Sequence, residues 1–344
     1  MEGYISPTNR QEVYAEEMKP ARDAVVFRRR QLDNAKYDKY DPRSCCDTKQ
    51  MECNRSSETV VRNKVEKYRH LYGDFTPQLL DPANFRILHR NNIAYKVGHG
   101  AFGTVFLAQE TGGNGELVAI KGFLDTDIDG MVKECGFFHK AQQVLSDDNF
   151  EKAYLRGFLK IRKNSEMAKH LMPYMCVISL AGITKGVPIK LSLDVAVTLL
   201  EAQQLGVSHL AWKDILYGVV LAAKMLYDKG VQHGDYHGGN ILIGFYEDRW
   251  KLTIIDFGKS AEHEKTEVSK LVDYYKAMAL VRKVAIILEW KRTSRFANIC
   301  YTTPEVEGKS LNWDKVLDQL MTCMNKDYSS VPWGVGTMTS EKGR

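Results

Sequence analysis

The feature that most constrains this chain is a pair of short polar loops, each joined to an apolar strand-like run. The first loop, residues 233–240 (HGDYHGGN), leads into the apolar run Ile241–Phe245. The second loop, residues 256–258 (DFG), directly follows Lys251–Ile255. Two short apolar runs separated by a few polar residues predict a β-hairpin. Both loops therefore belong to one compact unit, and we expect their polar side chains to share one surface.

The side chains in these two loops suit phosphate chemistry. Asp235 could accept the proton of a hydroxyl nucleophile. Asn240 offers an amide oxygen to Mg²⁺, a hard cation that prefers oxygen ligands, and Asp256 could place a carboxylate on a metal that bridges two phosphates. Each loop alone has a simpler interpretation, namely a glycine-rich turn with a capping aspartate or a common Asp-x-Gly turn.

Two further motifs precede these loops. Residues 98–105 (GHGAFGTV) have the spacing G-x-G-x-x-G-x-V between two strand-like runs, so the backbone there could approach phosphates closely. The β-branched and apolar sequel favours a hairpin over the strand-to-helix turn of a Rossmann fold. Lys121 ends the apolar run of the next strand, where an unpaired ammonium is costly. It either reaches solvent or pairs with an anion, and Glu134 in the following helix is the obvious candidate.

The order and spacing of these motifs resemble the signature set of protein kinases over about residues 92–290. The resemblance implies a bilobal α+β fold in which a β-rich lobe and a truncated α-rich lobe hold ATP with Mg²⁺ or Mn²⁺. Asp235 would be the catalytic base, Lys121 would hold phosphates and pair with Glu134, and the metal ligands would be Asn240 and Asp256. The nucleotide-binding positions would be Gly98, Gly100, Phe102, Gly103, Val105, Ala119 and Lys121.

The chain departs from the usual kinase pattern in three places. Gly234 replaces an arginine that in most kinases binds a phosphate on the activation loop. His237 replaces the lysine that is usual in Ser/Thr kinases. The string HGDYHGGN is similar to that of atypical kinases and of aminoglycoside and choline phosphotransferases. A helix predicted from Val268 leaves room for only a short activation segment after Gly258. Asp273 in this helix is expected to anchor the backbone of the first loop, residues 233–240, which corresponds to the catalytic loop of kinases.

Three functions follow from the resemblance. The first is an atypical Ser/Thr protein kinase, favoured by the complete glycine pattern. The second is a kinase of a small hydroxyl compound, favoured by His237 and the short segment after Gly258. The third is a pseudokinase scaffold, which is disfavoured because the chain has every member of the set Lys121, Asp235, Asn240 and Asp256.

The coarse organisation divides the chain into three parts. Residues 1–90 are a polar, partly helical extension; residues 91–290 form the catalytic domain, with lobes at about 91–182 and 183–290; and residues 291–344 are a tail or the rest of the second lobe. Hydrophobic residues make up 44% and charged residues 26%, which excludes a disordered chain.

The net charge and the cysteine content constrain the expected partners and the expected cellular compartment. The net charge of +5 gives no argument for nucleic acid or membranes as partners, so the expected partner is a protein substrate of unknown identity. Seven scattered cysteines argue against a disulfide framework, and the first residues contain no apolar signal segment. We therefore expect an intracellular protein, cytoplasmic or nuclear.

Overall fold

The computed structural model divides the chain into two units, Met1–Ala277 and Met278–Arg344. The residues that it describes are 55–90, 93–94, 96–100, 103–111, 115–123, 128–160, 174–180, 191–201, 209–246, 249–262, 271–287, 317, 318, 320 and 322. Among these, no helix combines the length and the apolar character that crossing a bilayer demands.

The first part of the first unit is rich in β-structure. Its strands are β1 (Gln78–Leu79), β2 (Phe85–Ile87), β3 (His89–Arg90), β4 (Ile93–Ala94), β5 (Lys96–Gly100), β6 (Gly103–Glu110), β7 (Leu117–Phe123), β8 (Ala153–Lys160) and β9 (Tyr174–Leu180). Seven of them form one sheet in the order β1-β8-β9-β7-β6-β2, with β5 also paired to β6. Only β1 and β8 pair in parallel, whereas the other pairs in this sheet are antiparallel. The expected antiparallel sheet is therefore present.

The core of this sheet follows from alternation along its strands. In β6 the side chains of Phe106 and Ala108 are buried while their neighbours are partly exposed, as expected for a strand with one face on a core. The buried apolar cluster consists of Phe85, Ile87, Phe106, Ala108, Val118, Ile120, Leu159 and Val177.

Among the described residues, three helices accompany the sheet. They are α1 (Arg55–Lys67), α2 (Arg69–Tyr72) and α3 (Ile128–Val144). Gly73 ends α2 with φ of 58°, a left-handed conformation that glycine adopts without steric cost. The helical pattern predicted between residues 57 and 72, with its stop at Gly73, is confirmed.

The second part of the first unit is mainly helical. Its elements, in chain order, are β10 (Leu191–Ser192), α4 (Leu193–Glu201), α5 (His209–Asp228), β11 (Val231–Gln232), a 3-10 turn (Gly238–Asn240), β12 (Ile241–Tyr246), β13 (Arg249–Ile254), β14 (Ala261–Glu262) and the start of α6 (Val272–Ile287). The predicted apolar stripe of α5 is fully buried and consists of Ile215, Leu216, Val219, Val220, Ala223 and Leu226. The predicted hairpin is β12–β13, which pairs Ile241 with Ile254.

The structure refines the sequence-based expectations at two boundaries. The helix predicted from Val268 is present as α6, whose first helical residue is Val272; Leu271 lies in a turn, and residues 268–270 lie outside the described residues. In addition, β1 and β2 belong to the large sheet, so the sheet begins before residue 91.

The second unit contains the last residues of α6 and a few described positions near residue 320. Within this stretch of α6, Met278, Val281 and Val284 are buried, which agrees with the apolar helix that the sequence predicts. Most of the predicted tail, residues 291–344, lies outside the described residues.

Candidate active site

Lys121 lies near the end of β7 and is only 6% exposed. Its Nζ lies 2.5 Å from Oε1 of Glu134 on α3 and 2.9 Å from Oδ1 of Asp256. Burial alone lowers the pKa of the lysine, but the two carboxylates outweigh this effect and raise it above its usual value. The buried ammonium therefore stays charged and joins the sheet, α3 and the DFG loop.

The glycine-rich segment forms the β5–β6 hairpin beside this lysine. Gly98 pairs with Val105 and Gly100 with Gly103, while Phe102, at the predicted tip, lies outside the described residues. Gly103 has φ of 151°, and a Cβ at this position would overlap the carbonyl oxygen of Gly122 on β7. Glycine is therefore required for the hairpin to lie this close to the strand that bears Lys121.

Two apolar positions predicted to bind the nucleotide lie on the strands next to the hairpin. Val105 pairs directly with Lys121 across β6 and β7, and Ala119 lies two residues before Lys121 on β7. Both side chains are half-buried, so part of each surface is open to a ligand.

The catalytic loop and the DFG loop meet at the base of the β12–β13 hairpin. Asn240 donates from Nδ2 to the carbonyl of Asp235, at 3.0 Å. The backbone N–H of Ile255 donates to the carbonyl of Asn240, at 2.9 Å, so Asp256 follows directly beside it. The structure thus brings Asp235, Asn240 and Asp256 together with Lys121, although they are far apart in sequence.

The oxygen atoms at this place fit a hard cation. Nδ2 of Asn240 already donates a hydrogen bond to Asp235. Among the described residues, no donor reaches Oδ1 of Asn240 or Oδ2 of Asp256. In the described part of the chain, no group of three or more acidic, histidine or cysteine side chains could hold a metal by itself. Two protein oxygens completed by phosphate oxygens are the usual arrangement for Mg²⁺.

A buried histidine supports both loops. His233 is inaccessible to solvent, its Nε2 lies 3.0 Å from the carbonyl of Ile255, and its Nδ1 lies 3.3 Å from the N–H of Asp235. Since a carbonyl only accepts, Nε2 must carry the proton and Nδ1 must accept. Burial lowers the pKa of His233 to about 4. The neutral imidazole therefore links the backbone before Asp256 to the backbone of Asp235.

Asp273, on the first turn of α6, anchors the catalytic loop as the resemblance implied. Its Oδ2 accepts from the N–H of His233 at 2.6 Å, and its Oδ1 accepts from the N–H of Gly234 at 3.1 Å. Burial raises the pKa of Asp273 to about 6, against the lowering effect of these two hydrogen bonds. The predicted contact between Asp273 and the loop is confirmed.

The surroundings of Asp235 contain a residue that the sequence analysis missed. Lys259 Nζ lies 2.9 Å from Oδ2 of Asp235, and Nε2 of His237 lies 3.8 Å from the same oxygen. Burial raises the pKa of Asp235, but the hydrogen bond and charge of Lys259, with the nearby histidines, lower it below its usual value overall. The available signal was the position of Lys259, immediately after the DFG loop.

Asp256 has an unusual backbone conformation, with φ of 62°. Among non-glycine residues, aspartate and asparagine are the ones that most often adopt this left-handed region. The following Phe257 is buried, with its ring centroid 4.7 Å from that of His233 and 6.0 Å from that of Phe138 on α3. The DFG loop is therefore held from both sides while its carboxylate points to Lys121.

A family model described as the ABC1 atypical kinase-like domain matches residues 196–287. The matched part contains Asp235, Asn240 and Asp256, whereas the glycine-rich hairpin and Lys121 precede it. Comparison with curated proteins gave no match. Together with the mixed α+β fold, the family match places the chain in the protein kinase-like superfamily and supports an ATP-using phosphotransferase.

Proposed function

We propose that this protein transfers the γ-phosphate of ATP to serine or threonine hydroxyls of a protein, with Mg²⁺ as the cofactor. The observation that carries the proposal is the convergence on one buried lysine. Lys121 Nζ contacts both Glu134 and Asp256, and Asp256 lies beside the loop that bears Asp235 and Asn240. A packed core has no need for this set of groups, whereas phosphoryl transfer uses each of them.

The nucleotide would lie between the glycine-rich hairpin and the DFG loop. Lys121 would contact the phosphates that precede the transferred one, and Glu134 would hold the ammonium in place. Asn240 and Asp256 would bind Mg²⁺, which supplies positive charge to the phosphate oxygens when it is bound. The amide donors of Gly98, Gly100 and Gly103 are the groups expected above the phosphates.

The residues of the catalytic loop would act on the acceptor. The hydroxyl oxygen forms a bond to the γ-phosphorus while the bond from this phosphorus to the bridging oxygen breaks, and the electron pair leaves with ADP. The hydroxyl proton moves to the carboxylate of Asp235. The low pKa of Asp235 keeps the carboxylate ionised before the acceptor arrives, so its main contribution is to orient the hydroxyl and to accept the proton late.

A protein acceptor is favoured by the complete glycine pattern of residues 98–105, which small-molecule kinases usually lack. A second candidate, a kinase of a small hydroxyl compound, is favoured by His237 and Gly234 in the catalytic loop. His237 lies close to Asp235, where it could contact a small acceptor directly. A scaffold without activity is disfavoured because Lys121 keeps both of its carboxylate partners.

The test is phosphoryl transfer from γ-labelled ATP, with a mixed protein preparation in one reaction and a pool of hydroxyl metabolites in another. Labelled protein that depends on Mg²⁺ supports the first candidate, and labelled metabolite supports the second. The Asp256→Ala variant should lose transfer in either case while it keeps the wild-type circular dichroism spectrum. Absence of transfer by the wild type to any acceptor would contradict the proposed function.

A further inference from the structure

The position of Lys259 depends on contacts between the segment after the DFG loop and the catalytic loop. Val231 and Gln232 of β11 pair with Glu262 and Ala261 of β14. Ser260 donates from Oγ to the carbonyl of His233, at 3.1 Å. Lys259 therefore lies on a backbone that is fixed to the catalytic loop on its C-terminal side and follows the DFG loop directly.

Gly234 is the position that makes this approach possible. It has φ of 77°, and a Cβ placed there would lie 2.5 Å from the carbonyl oxygen of Lys259. Any side chain at position 234 would push the segment away and carry the ammonium of Lys259 off Asp235. Glycine at position 234, which departs from the usual kinase pattern, is therefore also what allows Lys259 to pair with Asp235.

The negative charges around the reacting centre favour a second positively charged side chain near Asp235. Lys121 is engaged by Glu134 and Asp256, on the side of the cleft where the preceding phosphates are expected. A phosphoryl group that approaches an acceptor held by Asp235 would meet the negative charge of this carboxylate. Lys259 lies at this carboxylate, its side chain is 49% exposed, and an exposed ammonium can turn toward an arriving anion.

We propose that Lys259 is a catalytic residue that contacts the transferring phosphoryl group while Asp235 holds the acceptor hydroxyl. The proposal rests on the proposed function. Lys259 keeps all its protons: the hydroxyl proton goes to Asp235, and the ammonium offsets charge on the γ-phosphate oxygens as the bond to ADP breaks. This interaction forms mainly in the transition state, so it should affect kcat more than the binding of ATP.

The experiment compares Lys259→Met and Lys259→Arg with Lys224→Met in the full chain. Lys224 is the control lysine, because it likewise forms an ion pair with an aspartate, Asp228, at 2.6 Å, and both residues of that pair lie in the last turns of α5. We expect Lys259→Met to lower kcat by about 10²-fold with KM for ATP within about threefold, and Lys259→Arg to recover at least about tenfold of that loss. Lys224→Met should keep wild-type kinetics.

The proposal is overturned if kcat of Lys259→Met falls less than about tenfold or rises, since a rise would mean that the lysine blocks the base. Asp256→Ala separates this failure from a failure of the proposed function. If Asp256→Ala is inactive while Lys259→Met is active, only the role of Lys259 is wrong. If the wild type transfers no phosphate, both proposals fail.

A second, independent observation concerns residues 55–75, which we call the α3 brace. Tyr72 is fully buried, and its hydroxyl donates to the carbonyl of Val132 on α3. At Gly136 an added Cβ would lie 2.9 Å from Cβ of Leu71 and 3.0 Å from Cε2 of Tyr72. The absence of a side chain at Gly136 therefore lets the brace lie directly against the α3 backbone.

Further contacts extend the brace along the same face of α3. Lys64 Nζ lies 2.6 Å from Oδ2 of Asp129, in the first turn of α3. Farther along, the ring of Phe75 stacks on His139 with centroids 4.5 Å apart. At about 100° per residue, positions 129, 132, 136 and 139 share one face, and Glu134 lies roughly 180° away. The brace thus fixes α3 from the side opposite the ion pair with Lys121.

The geometry points to Tyr72 and Gly136 as positioning residues that hold Glu134 on Lys121. The test is a double-mutant cycle with Gly136→Ala and Glu134→Gln, measured as kcat/KM for ATP. Gly136→Ala should lower kcat/KM at least about tenfold in the wild type but less than about threefold when Glu134 is already replaced. A merely structural role would lower kcat/KM equally in both backgrounds, and this outcome would overturn the proposal.

Discussion

The contact between Asp273 and the catalytic loop gives a quantitative prediction. Asp273→Ala would leave the N–H groups of His233 and Gly234 without their acceptors. Because Asp273 is only 6% exposed, water cannot simply replace the carboxylate. Two buried donors without partners cost about 2–6 kcal/mol together.

An opposing effect reduces this cost. Burial raises the pKa of Asp273 from 3.8 to about 6, so the ionised carboxylate is itself unfavourable in the fold near neutral pH. This rise in pKa is equivalent to roughly 3 kcal/mol between the two protonation states. Removing the carboxylate relieves that penalty, so we expect Asp273→Ala to lower the free energy of unfolding by at most about 3 kcal/mol at pH 8.

The pH dependence has a definite sign. The folded-state pKa is higher than the unfolded value, so the stability that Asp273 contributes through proton binding is fully present below the unfolded pKa and is lost as pH rises through about 6, whereas its two hydrogen bonds remain. The difference between wild type and Asp273→Ala should therefore grow by about 1 kcal/mol from pH 8 to pH 5.

The assay is urea unfolding monitored by tryptophan fluorescence, with Asp228→Ala as the matched control. Asp228 pairs with Lys224 at the surface, and its loss should change the free energy of unfolding by less than about 1 kcal/mol. The reasoning is refuted if Asp273→Ala unfolds within about 0.5 kcal/mol of the wild type at both pH values, or if its cost grows as pH rises.

Three further predictions concern the site. Lys121→Met should lower kcat by at least about 10²-fold in the transfer assay, and near-normal turnover would contradict the assignment of this lysine. Gly103→Ala should raise KM for ATP by at least about tenfold, because its Cβ would overlap the Gly122 carbonyl; Gly115→Ala is the control, since its φ is also positive but its added Cβ would meet the end of the Gln109 side chain and no backbone atom. Because burial lowers the pKa of His233 to about 4 from 6.5, its contribution to stability is present above pH 6.5 and is lost as pH falls through 4. Its ¹⁵N chemical shifts should accordingly report a neutral, Nε2-protonated ring at pH 5.5, and an imidazolium at that pH would be inconsistent with the two hydrogen bonds of the ring.

Much of the fold follows from local sequence signals. Most of β6 and the first half of β7 alternate buried and partly exposed residues, and the α5 stripe has regular helical spacing, so these elements were predicted at nearly their observed bounds. The proximity of Asp235, Asn240 and Asp256 was also predictable, because a tight hairpin joins their two loops. These features depend on short-range periodicity and on one short connection.

Other features depend on tertiary contacts that have no local signal. The two-residue strand β1 gains its partner β8 from far along the chain, so its sequence alone does not mark it as a strand. The helix α6 begins at Val272, although the side chain of Leu271 fits the apolar period, because the backbone of Leu271 is in a turn. Periodicity reports which side chains can be buried, and it does not report where the helical backbone begins.

The residues of the site also differ in whether the local sequence indicated their role. Lys121 carried a clear signal, since a lysine at the end of an apolar strand needs an anion. Lys259 carried only its position after the DFG loop as a signal, because its role depends on the conformation of Gly234 and on the β11–β14 pairing, which bring its ammonium to Asp235. Likewise, Tyr72 becomes significant only when it is seen packed against Gly136 on the helix that bears Glu134.

The central claim, that one site built on Lys121, Asn240 and Asp256 binds ATP with Mg²⁺, is tested most directly by calorimetric titration with a non-hydrolysable ATP analogue. Asp256→Asn is the appropriate variant, because asparagine tolerates the left-handed backbone at this position. We predict that Mg²⁺ strengthens binding to the wild type at least about tenfold relative to EDTA and that Asp256→Asn loses this dependence. A wild type that binds no nucleotide, or a variant that keeps the full effect of Mg²⁺, would contradict the claim.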